Sequence, residues 1–363
     1  MSQRPAPAPA RIVALLPFLV QGALSLGILR ALRALGTEVA VAYCLPEAVG
    51  YTRDPAEDFA AEGRLIDLTA LGPDAALRRL AEEFATRDTR LAVQIGAFPL
   101  YPLLPALKQR RPGLHTVDTL YNEVGHTVNH FLYENSFDGV IVESHAMRRF
   151  VERCTEKPDP GVAVVESGID LTRYAPNLAA AADGPLRIAY IGRMSPEKNP
   201  LGFVELAEAL APRLPGARFA MHGEGPDAAT VRDRVSASPL GEHLIYHGRA
   251  DDIAVTLRGI DVLVVPSHLD GRPTVVMEAN ATGVPVIGAP VGGIPELIED
   301  GRNGLLAAPR EIDRIAETLA AWAAEPDGRA RRGAVCRRIA ETRFDRNRMI
   351  ADYAAAFDRF LAA

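Results

Sequence analysis

The sequence predicts an α/β protein built from two parallel-sheet domains, and three observations carry that prediction. The chain has 363 residues, a length that suits about two domains. Short apolar, β-branched runs alternate with helical patterns from Ile12 to Val165 and again from Leu186 onward, the order that βαβ units require. Between the two series, GIDLTRYAPNLAAAADGP is rich in small residues, proline and glycine, and reads as a connection between domains. The expected division is a tail at 1–10, a first domain at 11–172, a linker at 173–186 and a second domain at 187–344.

The opening MSQRPAPAPA reads as a flexible, proline-rich tail. From Ile12 to Leu29 the chain has no charged residue and is long enough to suggest a membrane span or a signal sequence. Pro17, Gln21, Gly22 and Gly27 interrupt that stretch, so it divides into a strand at Ile12–Leu16, a loop through Gly22 and a helix from Leu24 to Leu35 stopped by Gly36. Val39–Tyr43 is the next strand. Further strands are expected at Leu91–Ile95, His115–Asp118, Gly139–Val142 and Val162–Val165, with helices at Ala75–Ala85, Thr127–Asn135 and Ala146–Cys154 between them.

The second series begins with a strand at Ile188–Ile191, and its densest part is Asp261–Gly304. Val262–Val265 is a strand buried on both faces. Pro266 ends it, Gly271 allows a tight backbone, and Pro273 suits the first turn of a helix running from Thr274 to about Thr282. A strand at Val284–Ile287 follows, then a loop with Gly292-Gly293 and a short helix at Ile294–Ile298. Asp270 precedes the first of these helices and Glu278 lies on it, so at ~1.5 Å per residue the two carboxylates are roughly 12 Å apart. A glycosidase pair needs about 5 to 9.5 Å. The longer spacing suits an extended ligand with two polar ends and an anionic middle near helix amides, the shape of a nucleotide diphospho-sugar.

Composition sets the outer limits. Hydrophobic residues are 48% of the chain, enough for sizeable cores. The formal charge is −6 and the pI near 5.8, which gives no sign of a nucleic-acid groove. Cys44, Cys154 and Cys336 are far apart, odd in number and without a C-x-x-C pair. They read as reduced, buried thiols of a cytosolic protein, not as a disulfide framework or a zinc site.

The motifs of the second half resemble those of the family 4 retaining glycosyltransferases, whose architecture, GT-B, has two Rossmann-like domains facing a central cleft. Their E-x7-E signature, proline-valine strand and Gly-Gly-x-x-Glu loop are matched by Asp270-x7-Glu278, Pro285-Val286 and Gly292-Gly293 with Glu296. IGRMSPEKNP resembles their Gly-Arg and Glu-Lys-Asn stretch, with Arg193 and Lys198 at the diphosphate positions and Gly192 among the donor-binding residues. Gly223-Glu224-Gly225 resembles the glycine loop beside the base, and Tyr246-His247-Gly248, with Arg249 next, the following strand end. SGID at Ser167–Asp170 is similar to the family's Asn-Gly-Ile-Asp hinge. The resemblance is dense from about Leu186 to Gly304. It implies that Arg193 and Lys198 neutralise the departing diphosphate with help from amides at Gly292-Gly293, that Glu278 holds the ribose, and that Asp270 with Gly271, Arg272, Pro273 and Thr274 positions the sugar. It also implies that the last helix, Asn347–Leu361 within 345–363, crosses back to the first domain. No metal or cofactor is expected beyond the sugar nucleotide, and no D-x-D-like acidic cluster stands in a matching place.

The resemblance thins in the first half, where the acceptor is expected to bind. Gln21-Gly22-Ala23 replaces the family's paired glycines, with Gly22 still assigned to the donor. Asp270 is one methylene shorter than the family's glutamate, and Asp118 stands where many relatives have histidine. His126, His130 and His145 lie downstream, and His126 is the candidate catalytic histidine. Asn122 and Glu123, with Asp118, are the candidate acceptor ligands. The expected activity is retaining transfer from a nucleoside diphosphate sugar, UDP or GDP, to a carbohydrate or lipid-linked hydroxyl in polysaccharide, glycolipid or glycoconjugate synthesis. A cytoplasmic location is expected, with peripheral contact at the inner membrane left open. A nucleotide-sugar isomerase of similar fold and a non-catalytic sugar-nucleotide binding protein remain as alternatives.

Overall fold

The structure is a computed structural model that describes residues 9, 11–21, 24–47, 52–159, 161–176, 184–325 and 327–362. It forms two units, residues 1–166 with 350–363, and residues 167–349. Almost all of the expected tail, half of the expected linker, and Gly22 lie outside the described residues.

The first unit is a parallel sheet of seven strands, β1 (Ile12–Leu16), β2 (Val39–Tyr43), β3 (Leu65–Asp67), β4 (Leu91–Gln94), β5 (His115–Leu120), β6 (Gly139–Val142) and β7 (Val162–Val164). Their order is β3-β2-β1-β4-β5-β6-β7. Ile12 pairs with Val39 on one side and with Leu91 on the other. The order therefore reverses between β1 and β4, which makes the carboxyl ends of those strands a topological switch point. All five residues of β1 and of β2 are buried, the pattern of strands covered by helices on both faces.

The second unit repeats the design with six parallel strands, β8 (Arg187–Ile191), β9 (Arg218–His222), β10 (Leu244–Tyr246), β11 (Val262–Val265), β12 (Val286–Gly288) and β13 (Gly304–Leu306), in the order β10-β9-β8-β11-β12-β13. The switch falls between β8 and β11. Phe203, Phe219, Val231 and Leu319 belong to one apolar cluster of this unit, and Val276, Met277, Leu257 and Phe344 to another. Truncating one fully buried phenylalanine of this kind costs roughly 3 to 5 kcal/mol.

Several expectations need correction. The units divide at Glu166/Ser167 and at Met349/Ile350, not at 172 and 345. The reason is that Ile169 pairs with Asp345, its N–H donating to the Phe344 carbonyl and its carbonyl accepting from Arg346 N–H, which ties the hinge segment into the second unit. The helix that crosses back runs over Arg346–Ala362 and belongs to the first unit from Ile350. The helix expected over Thr127–Asn135 stops at Leu132 and gives way to a 3₁₀ turn at Glu134–Ser136. Cys154 is exposed rather than buried, because it ends the helix His145–Cys154, which turns only Met147 and Val151 fully inward. Among the described residues, no helix is long and apolar enough to cross a membrane.

Candidate functional site

The loops after β8, β9, β10, β11 and β12 meet at the carboxyl edge of the second sheet. Lys198 Nζ lies 2.7 Å from Asp270 Oδ2. Asp270 is 7% exposed, and Ser267 Oγ donates to the same oxygen at 3.1 Å. The backbone holds these two loops together as well, since the Glu197 carbonyl accepts from the N–H groups of His268 and Leu269. Burial pushes the Glu197 carboxyl up, but the Ser195 hydroxyl, Lys198 and Arg193 outweigh it and hold the group below its usual range. Arg193 is exposed, and among the described residues it forms no ion pair. Its carbonyl is fixed by the Tyr190 hydroxyl at 2.7 Å.

The paired glycines are required by contact with the next loop. Gly292 has φ +52°, and a Cβ there would stand 1.7 Å from the Asp270 carbonyl oxygen. This turn brings the Gly293 N–H to the Gly271 carbonyl at 2.7 Å. The amides at Gly292-Gly293 were expected to face a diphosphate together; that of Gly293 is instead spent on the neighbouring loop. Gly223 is packed as tightly, since a Cβ on it would lie 1.8 Å from the Gly192 carbonyl. Gly192 N–H donates to His222, Met194 N–H to Glu224, and Gly223 N–H to Gly248. The loops carrying Gly192, Gly223-Glu224-Gly225 and Gly248 are thus joined by backbone hydrogen bonds, with Glu224 and Arg249 exposed at the rim.

Helix Thr274–Ala281 starts after Pro273 and leaves Thr274 exposed. Arg272 is buried, 3.9 Å from Glu296. Further along the helix, burial raises the Glu278 carboxyl above its ordinary value, an effect only partly offset by a hydrogen bond from Tyr174 and by the charge of Arg173.

The first unit presents its own cluster near the ends of β4 and β5. His126 Nε2 lies 3.0 Å from the Thr119 carbonyl. A carbonyl only accepts, so Nε2 carries a proton, and in the neutral ring the lone pair is on Nδ1. Nδ1 stands over Gly96, 3.4 Å from where a Cβ would be. Asp118 is completely buried, and its carboxylate accepts from the Tyr101 hydroxyl at 2.9 Å and the Thr119 N–H at 2.8 Å while lying 3.0 Å from His130 Nδ1. This corrects its reading as an acceptor ligand, because no oxygen of it reaches solvent. Asn122 accepts from Val124 N–H in its own turn, and Glu123 is exposed.

Sequence reasoning missed Glu197, Ser267, Tyr174 and Tyr190, all of which position named site residues. It also missed the stacked imidazoles of His222 and His247, whose centroids are 4.7 Å apart. Burial, then the neighbouring ring, lower His222 from its ordinary value. Their place at the ends of two adjacent strands, each before a glycine, was the available signal.

Two Rossmann-like parallel sheets with this topology define the GT-B fold. Residues 178–337 match the family model described as glycosyl transferases group 1. The chain is 27% identical over 265 residues to a glycogen synthase of Mycobacterium tuberculosis, covering 70% of this chain and 62% of that protein. It is 30% identical over 211 residues to a D-inositol 3-phosphate glycosyltransferase of Saccharomonospora viridis, covering 53% of this chain and 49% of the other. It thus spans about three fifths of the first relative's length and half of the second's. Among solved structures, HepE from Anabaena in complex with UDP is similar with a TM-score of 0.77 at 17% identity, covering 96% of this chain and all of that one. Sucrose-phosphate synthase from Thermosynechococcus elongatus is similar with a TM-score of 0.75 at 19% identity, covering 97% of this chain and 99% of the other.

Proposed function

We propose that the protein is a retaining glycosyltransferase that moves a hexose from a nucleoside diphosphate sugar, UDP- or GDP-linked, to a hydroxyl acceptor. The observation that carries this reading is the convergence of Arg193, Lys198 and the Gly292 turn on one sheet edge beside the buried Asp270. Names of similar proteins support it, since relatives are described as glycogen synthase and D-inositol 3-phosphate glycosyltransferase and one neighbour as holding UDP.

In this account the bond between the anomeric carbon and the diphosphate oxygen breaks, and its electron pair stays on the diphosphate. Arg193 and Lys198 stabilise that charge in place of a metal ion. The acceptor oxygen bonds to the anomeric carbon on the same face, and Nδ1 of His126 is the proposed seat for its proton. Glu278 holds the ribose hydroxyls. Glu123 and Asn122 remain candidates for acceptor binding. A polysaccharide or glycoconjugate pathway in the cytoplasm, with peripheral membrane contact for a lipid-linked acceptor, is the setting this reading favours.

The test is incubation of the purified protein with UDP- or GDP-sugars and a panel of glycoside and polyol acceptors, with NMR assignment of the new anomeric bond. Retained configuration supports the proposal. Inverted configuration, or interconversion of the donor sugar without transfer, contradicts it.

A further inference from the structure

The edge of the second sheet opposite the donor loops carries a cavity of about 420 Å³. Its walls include Arg187 at the start of β8, Val262 at the start of β11 and Pro285 just before β12, together with the helix Gly328–Arg343. That volume lies in the range of sites for small organic molecules. β11 has four residues, so the cavity stands roughly 13 Å from the loops at the other edge. Arg193, Lys198, Asp270 and Glu278 take no part in its walls.

Six arginines line the cavity, Arg187, Arg258, Arg329, Arg332, Arg337 and Arg338, against a single lining carboxylate, Asp261. Asp261 is shared, 2.9 Å from Arg187 and 3.4 Å from Arg329. Arg332 pairs with Glu325 and Arg337 with Glu341, both outside the walls. Among the described residues Arg258 reaches the carbonyls of Arg173 and Ala175, both at 3.5 Å, and no carboxylate. Arg338 is exposed and forms no ion pair among the described residues. Arg258 and Arg338 thus line the cavity with no carboxylate paired to them among the described residues, a concentration of like charge that attracts an anion. The apolar part of the lining is supplied by Leu257, Ile260 and the half-buried Trp322, whose ring lies 5.2 Å beneath the Arg332 guanidinium.

We propose that this cavity is a second ligand site, distinct from the donor site, for a small organic phosphate with an aromatic or otherwise apolar ester group. The phosphate lies against Arg258 and Arg338, where planar forked donors match its oxygens. The apolar body lies against Leu257 and Trp322. The walls and charges of this site belong to the edge of the sheet opposite the donor loops, so it stands independently of the transferase reading.

Trp322 is the only tryptophan in the 363-residue sequence, so its fluorescence reports on this cavity in the intact chain. With phenyl phosphate as the probe, the expected result is a saturable change in emission, with inorganic phosphate bound more weakly. The Arg258→Ala/Arg338→Ala variant should weaken binding about tenfold or more, equivalent to about 1.4 kcal/mol, while Arg193→Ala leaves it unchanged. Arg338→Ala alone, at an exposed position, should weaken it roughly threefold and serves if the double variant does not fold. No saturable change in the wild type, undiminished affinity in the folded arginine variants, or loss of binding in Arg193→Ala would overturn the proposal.

Discussion

Lys198 and Asp270 form an ion pair, Nζ to Oδ2 at 2.7 Å, between the loops after β8 and β11. The two residues expected to meet opposite parts of one ligand therefore meet each other. Lys198 is about a quarter exposed and Asp270 nearly buried, so the pair is neither a screened surface contact nor a dry one. Lysine carries three donors, and two remain for a phosphate after one goes to Asp270. The pair holds the lysine in place without consuming it.

Removing one partner strands the other. Lys198→Ala leaves the Asp270 carboxylate with Ser267 Oγ as its one side-chain donor among the described residues, and the expected cost is about 1 to 3 kcal/mol of unfolding free energy. Lys198→Ala combined with Asp270→Asn should cost less than the sum of the single changes, with a coupling of about 1 kcal/mol. Urea denaturation of the four proteins measures this, and additive costs would mean that the pair contributes nothing.

Gly292→Ala is expected to be costly although it adds one methyl group. The new Cβ would stand 1.7 Å from the Asp270 carbonyl oxygen, at a backbone angle that side chains rarely adopt. The loop must move, at a cost of about 1 to 3 kcal/mol, and nucleotide affinity should fall with it. Scanning calorimetry with and without UDP checks both effects. A variant with wild-type melting and wild-type UDP response would contradict the packing account.

Glu278 predicts a pH dependence with an unusual sign for a carboxylate. Its folded pKa is raised, chiefly by burial, above the ordinary value of 4.5. The folded protein therefore holds this proton more tightly than the unfolded chain does. The stability this contributes is complete below the ordinary value and is lost as pH rises through the raised one. Glu278→Gln, which can still accept from Tyr174, should melt above the wild type at pH 7 to 8, and the gap should close near about pH 4. A gap that widens toward low pH would contradict the assignment. The same substitution should weaken donor binding if Glu278 holds the ribose.

Asp118 predicts the opposite separation of stability from binding. Its carboxylate satisfies Tyr101, the Thr119 N–H and His130 in the interior of the first unit. Asp118→Ala leaves those groups unpaired, and about 3 kcal/mol of stability should be lost. UDP affinity of the protein that remains folded should be unchanged. Denaturant melts and calorimetry separate the two, and a stable variant with altered UDP binding would return Asp118 to the site.

Much of the fold was legible because buried parallel strands are short runs such as Val262–Val265 with proline or glycine at their ends. β3, Leu65–Asp67, went unread because only Ile66 in it is fully buried and Asp67 is exposed, so no apolar run marks it. The helix Gly328–Arg343 was hidden for a different reason. Its sequence, GRARRGAVCRRIAETR, fully buries only Gly328, Cys336, Ile339 and Ala340, so no apolar stripe marks it. The site was legible as far as motifs reach, from Arg193 to Gly293. The contact of Lys198 with Asp270 and the bond from Tyr174 to Glu278 join separate loops, and no local pattern encodes which loops become neighbours. Asp118 reads as a ligand because it stands where many relatives have histidine, and the Tyr101, Thr119 N–H and His130 contacts that satisfy it in the interior are set by the fold rather than by a local pattern.

Whether the loops after β8 and β12 bind a nucleoside diphosphate is measured by titrating UDP-glucose into the protein in a calorimeter, with Arg193→Ala alongside. Saturable one-to-one binding to the wild type is expected, weakened about tenfold or more in a variant that melts at the wild-type temperature. Folded wild-type protein that binds neither UDP-glucose nor a GDP-sugar, or an Arg193→Ala variant that binds as the wild type does, would contradict it.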